Sequence, residues 1–186
     1  MTQGAYLGGR LLLAMPGMPD PRFAHAVVAM CLHDAKGALG IGVGQLIPGI
    51  GLHRLLEDLE VAPDNAPDVP VHFGGPVEPQ RGFVLHSGDW SGPGTIAAGA
   101  FGALSTSLDV LRAIAGGTGP SRWLVALGYA GWGAGQLEGE MTRHGWYAAE
   151  GRAEVLFDHP AEQRWSAAWR AEGIDPALLA AATGSA

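Results

Sequence analysis

Lysine is almost absent from this sequence, and acidic residues outnumber basic ones. Of the 186 residues, 18 are acidic and 11 are basic, so the formal net charge is −7 at pH 7. Lys36 is the only lysine, and the arginines are scattered singly without a basic cluster. Proteins that bind nucleic acids or anionic membranes through phosphate contacts need a basic surface. The charge therefore disfavours direct binding to nucleic acid and to a membrane surface.

Cysteine is equally scarce, because Cys31 is the only one. A lone cysteine cannot form an internal disulfide, which fits a reducing compartment. The first residues carry no basic segment followed by an apolar stretch, the pattern of a secretory signal. We therefore expect a cytoplasmic location. Cys31 lies in the apolar run 26–32, so we expect a buried thiol rather than a reactive one.

Long apolar runs are missing too. No stretch approaches the roughly 18 uninterrupted apolar residues of a membrane span. Apolar residues nevertheless make up 47% of the chain, which is enough for a sizeable core. A length of 186 residues, at about 150 residues per domain, predicts a single domain that covers residues 1–186.

The common metal-binding and phosphate-binding motifs are also absent. The chain has no His-Glu-x-x-His, no cysteine pair and no Gly-Lys-Ser/Thr, so neither a cofactor nor a metal is predicted. Cys31 and His33 would share one strand face as residues i and i+2, but no third ligand is identifiable. Residues 131–135 have Gly-x-Gly-x-Gly spacing, which favours a tight strand-to-helix turn over a phosphate site.

One loop contains the residue types of a hydrolase. His86, Asp89 and Ser91 lie close together at the start of a turn-rich segment over residues 87–94. The members of a catalytic triad normally converge from separate elements of the fold. The pattern therefore favours a solvated loop, and no catalytic residue is assigned.

The apolar pattern predicts short strands and amphipathic helices in alternation. The predicted strands cover residues 11–15, 26–32, 38–46, 71–73, 82–86, 123–127, 146–149 and 153–157. The predicted helices begin near residues 52, 106, 136, 160 and 176, with Thr106 and Asp109 in the spacing of a capping box. Because the elements lack a regular βαβ rhythm, we predict an α+β fold with a mixed sheet flanked by helices.

Glycine is concentrated in the third predicted strand. Gly40, Gly42 and Gly44 alternate there and leave one face of the strand almost without side chains. Such a face permits the close approach of another element. We expect a helix packed against it rather than a ligand.

Three motifs resemble those of the YqgE/AlgH family of bacterial proteins. The longest covers residues 128–138, with Trp146 downstream. The second covers residues 74–77 and continues to Leu85 and His86. The third runs from Met15 to Phe23 and leads into the second predicted strand. Together the three motifs extend the resemblance over nearly the whole chain.

The resemblance implies an α+β fold in which a bifurcated, partly barrel-like sheet is wrapped by helices. It implies no catalytic residue, because the biochemical function of this family is not established. Some members are labelled transcriptional regulators, but this chain has no basic helix and no evident helix-turn-helix. The chain departs from the family at Gly44, where relatives usually have asparagine.

These observations favour a non-enzymatic regulatory protein that binds a small molecule or a protein partner. Glycine-rich turns can leave a cleft with exposed backbone N–H groups. The candidate cleft residues are Gly74, Gly75, Pro76, His86, Trp132 and Gln136. The alternatives are a transcriptional regulator that acts on DNA directly or through a partner, and a hydrolase that uses His86 and Ser91.

Overall fold

The structure, a computed structural model, describes residues 6–17, 24–143 and 145–183. The strands are Leu11–Ala14 (β1), Val27–Asp34 (β2), Gly37–Gly42 (β3), Leu46–Gly51 (β4), Pro70–Phe73 (β5), Val77–His86 (β6), Thr95–Ala97 (β7), Ala103–Ser105 (β8), Trp123–Gly133 (β9) and Trp146–Ala149 (β10). The helices are Leu52–Asp58 (α1), Leu108–Ala115 (α2), Gln136–Thr142 (α3), Ala153–Phe157 (α4), Ala161–Ala171 (α5) and Pro176–Thr183 (α6). Residues 18–23 of the third family motif lie outside the described residues.

The described strands form a curled half-barrel sheet in the order β10-β1-β2-β3-β9-β6-β8-β7. Neighbours along this path are antiparallel. Strand β5 runs parallel to β9 and pairs antiparallel with β4 on its other edge. The sheet is therefore mixed and flanked by helices, which confirms the predicted α+β class.

The sheet divides at β9, which is long enough to have two neighbours in succession along one edge. Strand β5 accompanies its first half, where His72 pairs with Ala126. Strand β3 accompanies its second half, where Gly40 pairs with Ala130. The ends of β3 and β5 meet between these two stretches, and this meeting place is called the branch point below.

Buried side chains cover both faces of the sheet. Leu124 and Ala126 of β9 face a cluster that includes α4 and α5, with Trp165 and Trp169 among its members. The alternate residues of β9 face a second cluster with α1 and α2, as expected for a strand buried on both sides. A third cluster places Leu137 of α3 against β1 and β2. Helices thus cover each face of the sheet. Burial of each large apolar side chain stabilises the fold by about 1.5–3 kcal/mol.

Residues 153–157 were predicted as a strand but form the short helix α4. Val155 and Leu156 are consecutive and both buried, whereas neighbours in a strand point to opposite faces. The amide of Asp158 donates to the carbonyl of Glu154 at 2.9 Å, which closes a helical turn. A segment of five residues is too short to show whether its apolar residues repeat with the period of a helix or of a strand. Packing against α5 therefore decides its conformation.

The third predicted strand, residues 38–46, is also corrected. Strand β3 ends at Gly42, and β4 begins only at Leu46. No helix packs on the glycine face at Gly42, because a Cβ built there would lie 2.7 Å from the carbonyl oxygen of Phe73. The neighbour is the backbone of β5, which approaches more closely than a helix with side chains could.

A bulge in β2 overturns the prediction that Cys31 and His33 share a face. The register between β2 and β3 shifts between Met30 and Leu32, so one extra residue enters β2. Cys31 packs in the cluster with α4 and α5. His33 lies on the other side, where its ring accepts from the amide of Leu7 and meets Glu138 of α3.

Two further boundaries differ from the predictions. Strand β9 continues to Gly133, so the glycine turn before α3 is shorter than residues 131–135. Ser107 rather than Thr106 occupies the N-cap of α2, and its hydroxyl donates to the carbonyl of Pro93 at 2.7 Å.

Within the described part of the chain, no helix has the length and apolar character needed to cross a membrane.

Candidate binding cleft at the branch point

The two glycine motifs of the sequence touch each other at the branch point. A Cβ built on Gly74 would lie 2.2 Å from the carbonyl oxygen of Gly128, and one built on Gly128 would lie 2.2 Å from that of Gly75. Contacts this short with backbone exclude every residue larger than glycine. The amide of Gly42 donates to the carbonyl of Gly74 at 2.7 Å and ties β3 to the end of β5.

A cavity of about 100 Å³, here called the branch-point cavity, opens beside this contact. Its walls come from β2, β3, β5 and β9 and from the residues that follow β5, and they include the two half-buried indoles Trp132 and Trp146. The lining residues are Ala26, Val27, Val28, Gly42, Gly44, Gln45, Phe73, Gly74, Gly75, Pro76, Ala130, Trp132 and Trp146. Because four of them are glycines, backbone rather than side chains forms much of the wall.

A second space of about 390 Å³, the adjoining groove, shares Pro76, Ala130 and both indoles with the branch-point cavity. Its far end is polar and carries Gln136, Glu140 and Arg143. The two spaces together have the size of a small-molecule site. They combine an apolar end at the branch point with a charged end at α3.

Trp132 is held in place by α3. Its indole nitrogen donates to Glu140 at 2.8 Å, and the side-chain amide of Gln136 donates to the same carboxylate at 3.3 Å. The side-chain oxygen of Gln136 accepts from the amide of Gly133 at 3.0 Å. The turn between β9 and α3 is therefore closed by a side chain of the protein itself. The ring of Trp132 keeps a fixed orientation toward both spaces.

Five of the six candidate cleft residues come together here. Gly74, Gly75, Pro76 and Trp132 line the branch-point cavity, and Gln136 lines the adjoining groove. His86 does not belong to this group, because it lies at the far end of β6 and is 0% exposed.

His86, Asp89 and Ser91 do not form a triad in the described structure. The ring of His86 pairs with the buried hydroxyl of Ser105 at 2.7 Å and donates from Nδ1 to the carbonyl of Ser87 at 2.8 Å. Asp89 accepts from Ser87 and Ser121, and these bonds lower its pKa to about 2. The histidine and the aspartate are thus committed to different partners.

Metal ligands are not grouped in the described residues either, since no three of His, Cys, Asp and Glu lie close enough to hold an ion. Burial raises the pKa of the Cys31 thiol to about 12, so the thiolate is not formed at neutral pH. The described lining of the cleft is backbone, indoles and a polar end with Gln136, Glu140 and Arg143.

Sequence reasoning missed Gly42, Gly44 and Trp146 as lining residues. The alternation of glycines is visible in the sequence, but it predicts a helix packed against that face rather than a cavity wall. In the sequence Trp146 is notable only for its place downstream of the longest family motif, whereas in the structure it lies half-buried beside Trp132 at the edge of the cluster around Leu137. Gly44, the position where the chain departs from its family resemblance, faces the branch-point cavity.

Comparison with known proteins places these features in a family. A family model described as AlgH-like matches residues 11–177. A UPF0301 protein of Novosphingobium aromaticivorans is 66% identical over 186 residues and covers 100% of both chains. A UPF0301 protein of Rhizorhabdus wittichii is 59% identical, again over 100% of both chains.

Two solved structures share the fold. The solution structure of the AlgH protein from Pseudomonas aeruginosa superposes with a TM-score of 0.81 at 42% identity and covers 97% of each chain. The crystal structure of a Corynebacterium diphtheriae protein has a TM-score of 0.76 at 18% identity, covers 97% of this chain and 94% of its own, and bears on the fold alone. The family model, the relatives and the shared fold all identify the same family. The chain belongs to the AlgH-like family.

Proposed function

We propose that this protein is a non-enzymatic binding protein whose cleft takes a small molecule with a flat apolar ring. The observation that carries the proposal is the pair of half-buried indoles, Trp132 and Trp146, beside a cavity walled by glycine backbone. Aromatic faces favour flat apolar partners, and an exposed indole beside a cavity costs free energy when it faces only water.

The shape of the cleft supports a small ligand. The branch-point cavity is about 100 Å³ and the adjoining groove about 390 Å³. A ring would occupy the apolar end against the indoles. A polar substituent would extend along the groove toward Glu140 and Arg143, which would select among ligands by charge and hydrogen bonding.

The arrangement of side chains supports binding without a reaction. The groove contains a carboxylate and a guanidinium, but the carboxylate of Glu140 already accepts from Trp132 and Gln136. Those two bonds give Glu140 the role of orienting Trp132, whose ring lines the cavity. Regulation of a partner by the ligand-bound form would then be the consequence of binding rather than of turnover.

The proposal is tested by thermal shift and tryptophan fluorescence with a library of monocyclic and bicyclic aromatic fragments, compared with saturated rings of matched size. We expect selected aromatic fragments to raise stability by about 2.7 kcal/mol at about 100 times Kd. Trp132→Leu and Trp146→Leu should each abolish this gain, measured against the ligand-free stability of the same variant.

Trp90→Leu is the matched control, because Trp90 also lies half-buried but packs edge-on to His86, away from the cleft. The control variant should keep the response to fragments. If no fragment raises stability, or if the gain survives in both cleft variants, the cleft is not a ring-binding site.

A further inference from the structure

Arg164 is a cation that the fold has buried without a salt bridge to any described residue, and the exposed Glu162 is the carboxylate that acts on it from a distance. It lies on α5, within the apolar stripe that faces the core, and is 5% exposed. The ion pairs among the described residues are formed by His33, Arg81, Arg122 and Arg152, and none of them includes Arg164. A buried charge is costly unless an opposite charge compensates it.

The hydrogen bonds of Arg164 go to neutral groups. Nε donates to the carbonyl of His159 at 3.1 Å, and Nη1 donates to the carbonyl of Val43 at 2.8 Å. Nη1 also donates to Nε2 of His72. The Nδ1–H of His72 donates in turn to the carbonyl of Val125 at 3.0 Å. Burial, and then the charge of Arg164, lower the pKa of His72 to about 4. The imidazole is therefore neutral at pH 7 and does not offset the guanidinium.

One nitrogen of the guanidinium, Nη2, remains for a partner from outside. The bonds above use Nε and Nη1, and Nη2 donates to no group among the described residues. Among the described residues, the only fully buried polar side-chain atom without a hydrogen-bond partner is the indole nitrogen of Trp169. Nη2 of Arg164 has no partner either, but it is not among the fully buried atoms. Nη2 is therefore not enclosed by protein.

Arg164 opens into a cavity of about 400 Å³, here called the Arg164 cavity. Its walls include Leu46, Pro70, His72 and Trp123, which are mostly apolar. The first turn of α5 also lines it through Pro160 and Ala161, and no side chain caps the start of this helix. Uncapped amides at a helix N-terminus attract negative charge and add to the pull of the guanidinium.

We propose that the Arg164 cavity binds the carboxylate of a small organic acid with an apolar body. The carboxylate would accept from Nη2 of Arg164 and from the first amides of α5, and the body would lie against Trp123 and Leu46. The N–H groups of Nη2 belong to a cation and form charge-assisted hydrogen bonds with a carboxylate.

The cavity favours a single negative charge over a doubly charged phosphate. It offers one cation, and the exposed Glu162 also lines it. A phosphate dianion would meet that carboxylate with twice the charge of an organic acid. The apolar walls would also stay unfilled around a free phosphate. The ligand class is therefore a monocarboxylic acid.

Sodium benzoate is the probe, with benzamide as its neutral counterpart and inorganic phosphate as the competing anion, all at constant ionic strength. Titrations of the ¹⁵N-labelled full chain are followed by two-dimensional NMR. We expect benzoate to shift the amides of Ala161 and Glu162 and the indole of Trp123 in a saturable way. Benzamide should bind at least about tenfold more weakly, because it lacks the charge.

Two variants separate the site from general stability. Arg164→Gln should weaken benzoate binding by at least about tenfold. Glu162→Gln removes a repelling charge from an exposed position, and it should strengthen benzoate binding about two- to fivefold. Glu57→Gln is the matched control on the exposed side of α1 and should leave binding unchanged.

The Glu162 variant keeps the test decisive even if Arg164→Gln does not fold, because Glu162 is exposed. Absence of saturable shifts at tens of millimolar benzoate would overturn the proposal. So would equal binding of benzamide and benzoate, stronger binding of phosphate, or a Glu162→Gln variant that behaves like Glu57→Gln. None of these outcomes bears on the cleft at the branch point, which shares no lining residue with this cavity.

Discussion

His72 is a buried histidine whose two ring nitrogens already have partners. Nδ1 donates to Val125, and Nε2 accepts from Arg164, an acceptor role that protonation would abolish. Its pKa falls from 6.5 to about 4 in the folded state, first through burial and then through the charge of Arg164. Between these two pKa values the unfolded chain binds more protons than the folded one. Stability therefore rises with pH in that window.

We predict that the free energy of unfolding decreases as the pH falls from about 6.5 to about 4, by up to roughly 3 kcal/mol from His72 alone. Urea titrations at several pH values measure this slope. His72→Gln should flatten it, because glutamine does not titrate. His159→Gln, on the loop before α5, serves as control and should keep the slope of the parent. An unchanged slope in His72→Gln would contradict the assignment.

Cys31 is a buried thiol that we expect to react slowly in the folded chain. It is 5% exposed, and burial raises the pKa of its thiol to about 12. The thiolate is the form that attacks a disulfide reagent and displaces its leaving thiolate, so the native chain should react orders of magnitude more slowly than the urea-unfolded chain. Ser91→Cys, at an exposed loop position, provides the fast reference in the native state. Equal rates for Cys31 and the reference would show that the apolar cluster opens readily.

Residue types were visible in the sequence, but their partners were not. The pairing of His86 with Ser105 joins residues 19 positions apart on neighbouring strands, and no local pattern encodes it. Arg164 did leave a signal, because it occupies a position of the apolar stripe of α5 together with Ala161, Trp165 and Ala168. A charged residue in such a stripe is a sign of a buried site.

At the scale of elements, the branch point depends on backbones that approach more closely than side chains allow. Gly75 has φ +151, and a Cβ built on it would lie 2.1–2.4 Å from the backbone of Tyr129 and Ala130. Both the conformation and the space therefore require glycine. Gly139, in contrast, lies in α3 with nothing within 4 Å of an added Cβ.

These two glycines make a matched pair for mutagenesis. We expect Gly75→Ala to lower the free energy of unfolding by about 3 kcal/mol or more, because β5 and β9 must separate. Gly139→Ala should raise it by up to about 1 kcal/mol, since alanine is the better helix former. Urea denaturation monitored by circular dichroism measures both. A tolerated Gly75→Ala would mean that the branch point is looser than its contacts indicate.

Elements were predictable where several residues repeat one pattern. The strands at residues 11–14, 27–34 and 146–149 are apolar runs with clear boundaries, and α5 shows its stripe over 11 residues. Strands β7 and β8 have three residues each, too few for an alternation to be recognised. Helix α4 has five, and its apolar triplet suits a strand as well as a helix.

At the scale of the whole molecule, the formal charge of −7 bears on the label of transcriptional regulator. Counter-ion release from DNA needs clustered, exposed cations. The few cations of this chain are spread over the sequence, and among them Arg164 is buried and Arg152 is paired with Glu172. We predict no binding to duplex DNA in fluorescence anisotropy even at low salt. Binding that weakens steeply with added salt would contradict this expectation and favour direct action on DNA.

The division of the sheet could not be predicted from composition or periodicity. Alternation of apolar residues shows that β5 and β9 are strands, but not that β5 runs parallel to one half of β9 while β3 pairs with the other half. Only the family resemblance implied a bifurcated sheet. The candidate cleft was predictable in part, because the two glycine motifs that meet there are the most distinctive in the chain.

The four-residue strand β5 is a wall common to two cavities. Phe73 lines the branch-point cavity, and His72 lines the Arg164 cavity. Because His72 and Phe73 are neighbours in the strand, their side chains point to opposite faces of it. Ligands in the two spaces would therefore lie on either side of one four-residue strand, with a single layer of backbone between them.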